Sequence, residues 1–381
     1  MLRICFTAEE FFPLPSGRLR RIYEVGKRLA LRNEVHIYCQ MYPGAPREEE
    51  VSGIHVHRVG PPVLKASSYL RRALSVPYLF KSLLKSGDFD IINTNWLFPP
   101  LPSYLAARLR GVRIVLTSDG ILWHHLCGLN LPGYGLLPKV FGCMVEDVDV
   151  KLNYDAYITV SRGTKEELIS MGVDPEKVFV VYNGVDIQFY DSIDVEESHE
   201  PSVCYVGHLE GRKNAFDLIK AFSIVLKSIP DARLTIAGSG PLMGRARDLA
   251  EALKLGSKVK FLGSVGFKEA ARVMKSSHLL VLPSLVEGFG IVLAEANACR
   301  KPAVAYDVPN VREVIKDGVN GFLVKPRDVS MLALRIIELL KDDRMRRRMG
   351  ENGRMIVERN FTWDRAAEET LKVYKRIIGD A

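Results

Sequence analysis

Short runs of branched and apolar residues recur along the whole chain, separated by longer stretches with apolar residues every three or four positions. The runs predict strands near 2–8, 34–39, 54–59, 89–95, 113–118, 156–161 and 178–183, then near 201–207, 233–238, 259–263, 279–284, 302–307 and 321–324. Some are apolar throughout, as in Leu279-Leu280-Val281-Leu282, or nearly so, as in Arg233-Leu234-Thr235-Ile236-Ala237. Strands covered on both faces need that pattern, and helices between them imply parallel sheets. The expected fold class is α/β, with two consecutive doubly wound, Rossmann-like domains. The seam falls near Asn183-Gly184-Val185-Asp186, where Asn-Gly favours a turn. This predicts a first domain over 1–186 and a second over 187–362. Residues 192–202 are acidic, polar and aperiodic, as in a linker or surface loop. From Trp363 to Ile378, helical spacing returns through Ala366, Ala367, Leu371, Tyr374 and Ile377.

Composition narrows the class. With 381 residues, 47% of them apolar, each half can bury a core. The longest apolar runs fall well short of the roughly 20 residues a membrane span needs. Met1 to Phe6 reads as a strand, without the basic lead and apolar centre of a secretion signal. Cys5, Cys39, Cys127, Cys143, Cys204 and Cys299 are scattered, with no Cys-x-x-Cys pair, and the expectation is a reduced, cytoplasmic chain.

The net charge of +8 is unevenly spread. From Arg58 to Gly87 there are six basic residues and no acid before the final Gly87, interleaved with Tyr69, Leu70, Leu74, Tyr78, Leu79, Leu83 and Leu84. Over residues 64–86 the pattern suits an anionic membrane surface, and it equally suits a solvated helix packed on its own domain. Pro77 would kink or split a single helix here. No nucleic-acid recognition motif accompanies the basic patch, so nucleic acid is not an expected partner.

Candidate chemistry concentrates in 283–297, Pro-Ser-Leu-Val-Glu-Gly-Phe-Gly-Ile-Val-Leu-Ala-Glu-Ala-Asn. Glu287 and Glu295 stand eight positions apart around Gly288-Phe289-Gly290, with a strand before and an apolar helical run after. Strand, loop and helix in that order aim backbone N–H groups at an anion. Carboxylates beside such a site are better matched to hydroxyls, from which they accept strongly. Hydroxyls on both sides of a phosphate describe a nucleotide sugar. A second strand–loop–helix carries Gly207, His208, Arg212 and Lys213 ahead of a helix near Asn214. Cations there suit a diphosphate, though alone they could be a surface pair.

Other motifs are weaker. Gly238-Ser239-Gly240 follows a strand, but Gly244 is one position late for a dinucleotide fingerprint, and Val259-Lys-Phe-Leu-Gly ends without the ribose acid. The loop either lets backbone approach a nucleotide or is a tight βα turn. Asp88-x-Asp90 and Asp147-x-Asp149 could hold a divalent cation on a diphosphate, but the first reads better as a turn into a strand. His55 and His57 share one strand face without a third ligand in view. His124 and His125 follow a strand end, where parallel sheets bind ligands. No P-loop and no nucleophile elbow is present.

Taken together, these residues resemble the retaining, nucleotide-sugar-dependent glycosyltransferases of family four, with the GT-B fold. The resemblance covers nearly the whole chain and is strongest from Val160 to Val324. It rests on Val160-Ser-Arg-Gly-Thr-Lys-Glu-Glu-Leu, Val181-Tyr-Asn-Gly-Val-Asp, the Gly207–Lys213 loop, Ala237-Gly-Ser-Gly-Pro, Phe261-Leu-Gly-Ser-Val, the 283–296 motif and Gly318-Val-Asn-Gly-Phe-Leu-Val. It implies that Glu287 meets donor-sugar hydroxyls and that amides at Phe289, Gly290 and Ile291 face the sugar and diphosphate. Glu295 would take the ribose and Lys213 the diphosphate, without a metal or other cofactor. It also implies a C-terminal helix, about 363–381, crossing back to the first domain, and two domains facing a cleft.

There are three departures from the family pattern. His208 replaces the usual Arg after the strand-ending glycine, with Arg212 nearby. Ser16-Gly17 replaces paired glycines near the phosphates. Asp119, in Thr117-Ser-Asp-Gly, stands where a His often flanks the reacting sugar. The expected partners are a nucleoside-diphosphate sugar and a sugar or lipid-linked acceptor. A nucleotide-sugar epimerase or hydrolase, or a non-catalytic nucleotide-sugar binding subunit, remains open on the same residues.

Overall fold

The computed structural model describes residues 1–11, 17–62, 75–95, 99–121, 124–126 and 136–379. The chain divides into two compact units: 1–121, 141–183 and 363–381 form the first, and 122–140 and 184–362 the second.

Among the described residues the first unit holds β1 (Arg3–Thr7), β2 (Glu34–Gln40), β3 (Glu48–Val51), β4 (Ile54–Val59), β5 (Ile91–Asn95), β6 (Arg113–Ser118), β7 (Ala156–Thr159) and β8 (Val178–Val180). Their order across the sheet is β3-β4-β2-β1-β5-β6-β7-β8, all parallel except the edge strand β3. Ile4, Ile91, Ile92, Ile114, Val115 and Leu116 are fully buried, as unbroken apolar runs require in a sheet covered on both faces. Its main helices are α1 (Gly17–Leu29), α2 (Val76–Lys85), α3 (Pro100–Arg110), α4 (Leu136–Lys151) and α5 (Arg162–Ser170).

The second unit is a six-stranded parallel sheet ordered β11-β10-β9-β12-β13-β14. Its strands are β9 (Ser202–Val206), β10 (Arg233–Ala237), β11 (Val259–Gly263), β12 (Leu279–Leu282), β13 (Ala303–Tyr306) and β14 (Gly321–Val324). Its main helices are α6 (Ala215–Ser228), α7 (Met243–Ala252), α8 (Phe267–Ser276), α9 (Ile291–Ala298), α10 (Val329–Lys341) and α11 (Asp343–Asn360). The chain winds outward from β9 to β11, then restarts at β12 on the other side of β9. Strand order therefore reverses between β9 and β12, where open α/β sheets bind ligands.

The last helix, α12 (Trp363–Ile378), belongs to the first unit and packs on α1. Trp363 and Tyr374 are fully buried there, and Arg28 of α1 donates to Asp364 at 2.8 Å.

Three local features differ from the sequence reading. Strand β3 was not foreseen, because Glu48-Glu49-Glu50 argues against a strand on propensity. It forms because its acids lie opposite histidines of β4, Glu48 across from His57 and Glu50 across from His55. His36 of β2 joins them, its Nδ1 3.0 Å from His57 Nε2 and its Nε2 2.9 Å from Glu34 Oε1. No group of His, Cys, Asp and Glu among the described residues is arranged to hold a metal ion. Pro77 lies in the first turn of α2, where its missing N–H costs nothing, so it starts a helix instead of kinking one. Finally, Cys143 is disulfide-bonded, which corrects the expectation that all cysteines stay reduced. Cys5, Cys39, Cys204 and Cys299 are free and buried.

Candidate active site

Two loops meet at the C-terminal ends of β9 and β12. The first leaves β9 at Gly207 and closes in a single tight turn over Gly211–Lys213. Asn214 then adopts the left-handed conformation (φ 49°), which turns the chain into α6. The second leaves β12 and reaches α9 through Glu287 and Gly290. Backbone stitches the loops together, since the Leu285 amide donates to the Arg212 carbonyl at 2.8 Å. The Arg212 guanidinium donates to the Val286 carbonyl at 3.4 Å and pairs with Glu210 at 2.7 Å.

This stitch brings Lys213 and Glu287, 74 residues apart, into an ion pair, with Nζ donating to Oε1 at 2.5 Å. Glu287 is buried and its own carbonyl accepts from the Asn310 side chain at 2.7 Å, so the loop is held from two sides. Burial alone would raise the Glu287 carboxyl, but Lys213 and Arg212 outweigh it and hold the group below the usual carboxylate range. Burial also lowers the Lys213 ammonium, and Glu287 offsets part of that shift. The two groups are each other's nearest counter-charge, and removing either would leave the other buried without it.

Gly290 caps α9 with φ 78°, and a side chain there would press a Cβ to 3.0 Å from Leu293 Cδ1. The glycine thus lets the chain turn sharply and start α9 four residues after Glu287. Phe289 is buried edge-on to Phe361, ring centroids 5.4 Å apart, so only its backbone is available to a ligand. Ile291 is the first residue of α9, and Glu295, 8% exposed, follows in its second turn.

His208 is exposed, but its ring is fixed, with Nδ1 3.2 Å from the Ser239 carbonyl. This explains the Gly238-Ser239-Gly240 loop. A Cβ at Gly238 would lie 1.9 Å from the Gly207 carbonyl oxygen, and one at Gly240 2.4 Å from that of Leu209. The glycines are there so that one βα loop can stack on another; a Cβ at Gly244 would meet nothing within 4 Å.

Asp119 follows β6 in the first unit, half-buried, and its charge is felt by the guanidinium of Arg21. Arg21 is 4% exposed and donates to the Asn183 side chain at 2.9 Å and the Tyr182 carbonyl at 3.2 Å. Gly17 is the first residue of α1, and the Ser16 loop before it lies outside the described residues. Arg21, Asn310 and Asp217 were missed by sequence reasoning. Asp217 accepts from Asn214 at 2.6 Å and Tyr306 at 2.8 Å and so steadies the start of α6. None of the three sits in a recognisable motif. Asp88-Phe89-Asp90 is a structural turn, with Asp90 accepting from the Arg3 amide at 2.7 Å. His124 and His125 are exposed in a short described stretch flanked by residues outside the description.

Two parallel-sheet units, with cations and a carboxylate joined at the switch point of the second, have the GT-B architecture of glycosyltransferases. Residues 16–189 match the family described as Glycosyltransferase Family 4, and residues 186–355 the family described as Glycosyl transferases group 1. The two matches together run from residue 16 to 355, and the chain belongs to these glycosyltransferases. An uncharacterised glycosyltransferase of Methanocaldococcus jannaschii is 36% identical over 232 residues, 57% of this chain and 59% of that protein, so the match spans under two thirds of that relative. The N-acetyl-α-D-glucosaminyl L-malate synthase of Bacillus anthracis is 25% identical over 94% of this chain and 93% of its own. The solved structure of Anabaena HepE, in complex with UDP and glucose, superposes with a TM-score of 0.76 at 19% identity, covering 98% of this chain and 99% of that one.

Proposed function

We propose that this protein is a retaining hexosyltransferase that moves a sugar from a nucleoside diphosphate to an acceptor hydroxyl on a lipid-linked or cell-surface glycan precursor. The observation that carries the reading is the Lys213–Glu287 pair, 2.5 Å long, held between the loops that follow β9 and β12. Lys213 and Arg212 have the charge to take up a diphosphate, and Glu287 has the lone pairs to accept from sugar hydroxyls. On donor binding, the ammonium shifts toward the phosphates and the carboxylate toward the sugar. The bond from the anomeric carbon to the diphosphate oxygen then breaks. Lys213, Arg212 and the start of α9 stabilise the departing charge. The acceptor oxygen bonds to the anomeric carbon from the same face, and its proton passes to the leaving diphosphate. Asp119 stands on the acceptor side, in the first unit. Glu295 accepts from the ribose, while Gly17, His208 and the amides of Phe289, Gly290 and Ile291 complete the donor site. No metal takes part.

The same reading puts residues 64–86 against an anionic membrane, on its cytoplasmic face. Of that stretch, α2 is described, and it turns Tyr78, Lys81, Leu84 and Lys85 outward.

The test begins with thermal shift against nucleoside diphosphates and their sugars, since a ligand of the folded state raises Tm. The best donor is then incubated with acceptors, and the product anomer is read by NMR. Retention of donor configuration is the expected outcome. An inverted product, free sugar alone or an isomerised donor would overturn the reading.

A further inference from the structure

One cation buried in the first unit has no acid against it. Arg21 of α1 is 4% exposed and forms no ion pair among the described residues. Both of its hydrogen bonds run from Nη1, to the Tyr182 carbonyl and the Asn183 side chain, which are neutral. Its Nε and Nη2 donate to no described residue. Elsewhere in the unit Arg58 pairs with Glu49, and Glu24 of α1 with Arg28. A guanidinium keeps its proton, so burial costs it free energy that only a counter-charge offsets. Burial acts against the Arg21 charge more than Asp119 and Tyr374 favour it.

Arg21 borders a cavity of about 10 Å³, room for one oxygen-sized group. Phe6 of β1, Asn93 and Asn95 of β5, Thr117 of β6 and Thr370 of α12 line it, and no acid does. Strands β1, β5 and β6 are successive neighbours, and the cavity lies toward their C-terminal ends, where parallel sheets take ligands. Asp119 follows Thr117 by two residues. Thr117 donates to Asn93 at 2.8 Å and Asn93 to the Tyr374 hydroxyl at 2.6 Å, so these side chains are held in place. Asn95 Nδ2 makes one long bond, 3.4 Å, to the Thr7 carbonyl. Arg21 and Asn95 are thus the donors left for a guest.

An oxyanion meets that need. A neutral hydroxyl leaves the cation unmatched, whereas one carboxylate or phosphate oxygen accepts from the guanidinium and cancels its charge. Two molecules of the proposed reaction could bring one. The donor's diphosphate has Lys213 and Arg212 in the second unit. On the first unit the acceptor meets Asp119, suited to a hydroxyl, and Arg21, suited to an anion.

We infer that the acceptor carries a carboxylate or phosphate, one oxygen of which Arg21 takes at this cavity while the hydroxyl to be glycosylated lies toward Asp119. The inference rests on the transfer reaction proposed above and adds the acceptor's charge to it. Arg21 is then a specificity-determining residue, selecting an anionic acceptor over its neutral counterpart.

The test has a binding arm and a transfer arm. In the first, wild type, Arg21→Lys and Arg21→Gln are melted with sodium acetate or sodium phosphate, at ionic strength matched by chloride. UDP is present to occupy the diphosphate site. At least one of the two anions should raise the wild-type Tm, raise that of Arg21→Lys less and leave Arg21→Gln unmoved. In the second arm, methyl glucoside is compared as acceptor with methyl glucuronide and with methyl glucoside 6-phosphate. Wild type should favour a charged member about tenfold or more in kcat/KM, and Arg21→Gln should bring that ratio near one. A wild type that melts alike in acetate, phosphate and chloride overturns the inference. So does an Arg21→Gln variant that keeps the preference, or one whose loss falls on the donor KM, which would give the anion to the donor. Where Arg21→Gln fails to fold, the wild-type salts and Arg21→Lys decide. Anion-dependent melting that requires Arg21, in a protein that transfers no sugar, would keep the anion site and remove the enzymatic reading.

Discussion

Glu287 and Asp149 are both carboxylates sealed inside an α/β unit, yet their affinities for a proton move in opposite directions. Glu287 has Lys213 at 2.5 Å and Arg212 beside it, and it stands below the ordinary carboxylate range despite burial. Asp149, on the inner side of α4, is pushed up to about 8 by burial and by Glu146, itself fully buried. Its Oδ2 has no hydrogen-bond partner among the described residues. Burial is the largest influence on both, so the neighbours account for the difference. At the strand-end loops the chain supplies cations, which favour the charged acid; inside the helix layer burial and a second acid favour the protonated one.

The sharpest way to break this contrast is to remove the cation. Lys213→Ala makes Glu287 a buried acid without its nearest counter-charge, and in the proposed function it removes a stabiliser of the leaving diphosphate. Turnover should fall about 10²–10³-fold in steady-state kinetics with the matched donor. A kcat within twofold of wild type would separate Lys213 from the chemistry.

Glu287→Gln keeps the shape, removes the charge and leaves Lys213 unpaired. The donor KM should rise about 10–100-fold, from the loss of charge-assisted hydrogen bonds worth about 1.5–3 kcal/mol. Unchanged KM for the sugar nucleotide, alongside normal melting, would place the sugar elsewhere. Glu295→Ala tests a third buried acid and should raise the donor KM about tenfold with kcat nearly unchanged. Equal losses with a donor lacking the ribose hydroxyls would contradict its ribose role.

The smallest effect is on stability. Asp149 has its folded pKa raised, from an ordinary 3.8 to about 8. The folded chain therefore binds the extra proton, and this contribution to stability is fully present below about pH 4 and is lost as pH rises toward 8. Asp149→Asn mimics the protonated acid, so the variant should match wild type in thermal denaturation at pH 5. At pH 9 it should exceed wild type by about 1–2 kcal/mol. Parallel melting curves across that range would mean Asp149 is ionised when folded.

Much of the fold was legible because its signals are local. Leu279–Leu282 and Ala303–Tyr306 are apolar along their whole length, and both are central, fully buried strands. Trp363–Ile378 carries helical spacing and forms α12. The 283–297 motif showed a strand, a glycine hinge and a helix start before any coordinates. The edge strand β3 was illegible, since His55, His57 and Arg58 of a strand further along are what make its three acids tolerable. The disulfide at Cys143 had no motif to betray it.

The order of elements, the glycine turns and the kinds of side chain at each strand end were determined by the sequence alone, since backbone preference and hydrophobic period act over a few residues. Tertiary structure alone decided that Lys213 finds Glu287 across 74 positions, that Gly238 and Gly240 serve loop stacking, and that Asp149 Oδ2 meets no hydrogen-bond partner among the described residues. Those outcomes depend on which strands become neighbours. Neighbours are set by burying both faces of each sheet at once, a condition on the whole chain that no short stretch of it contains.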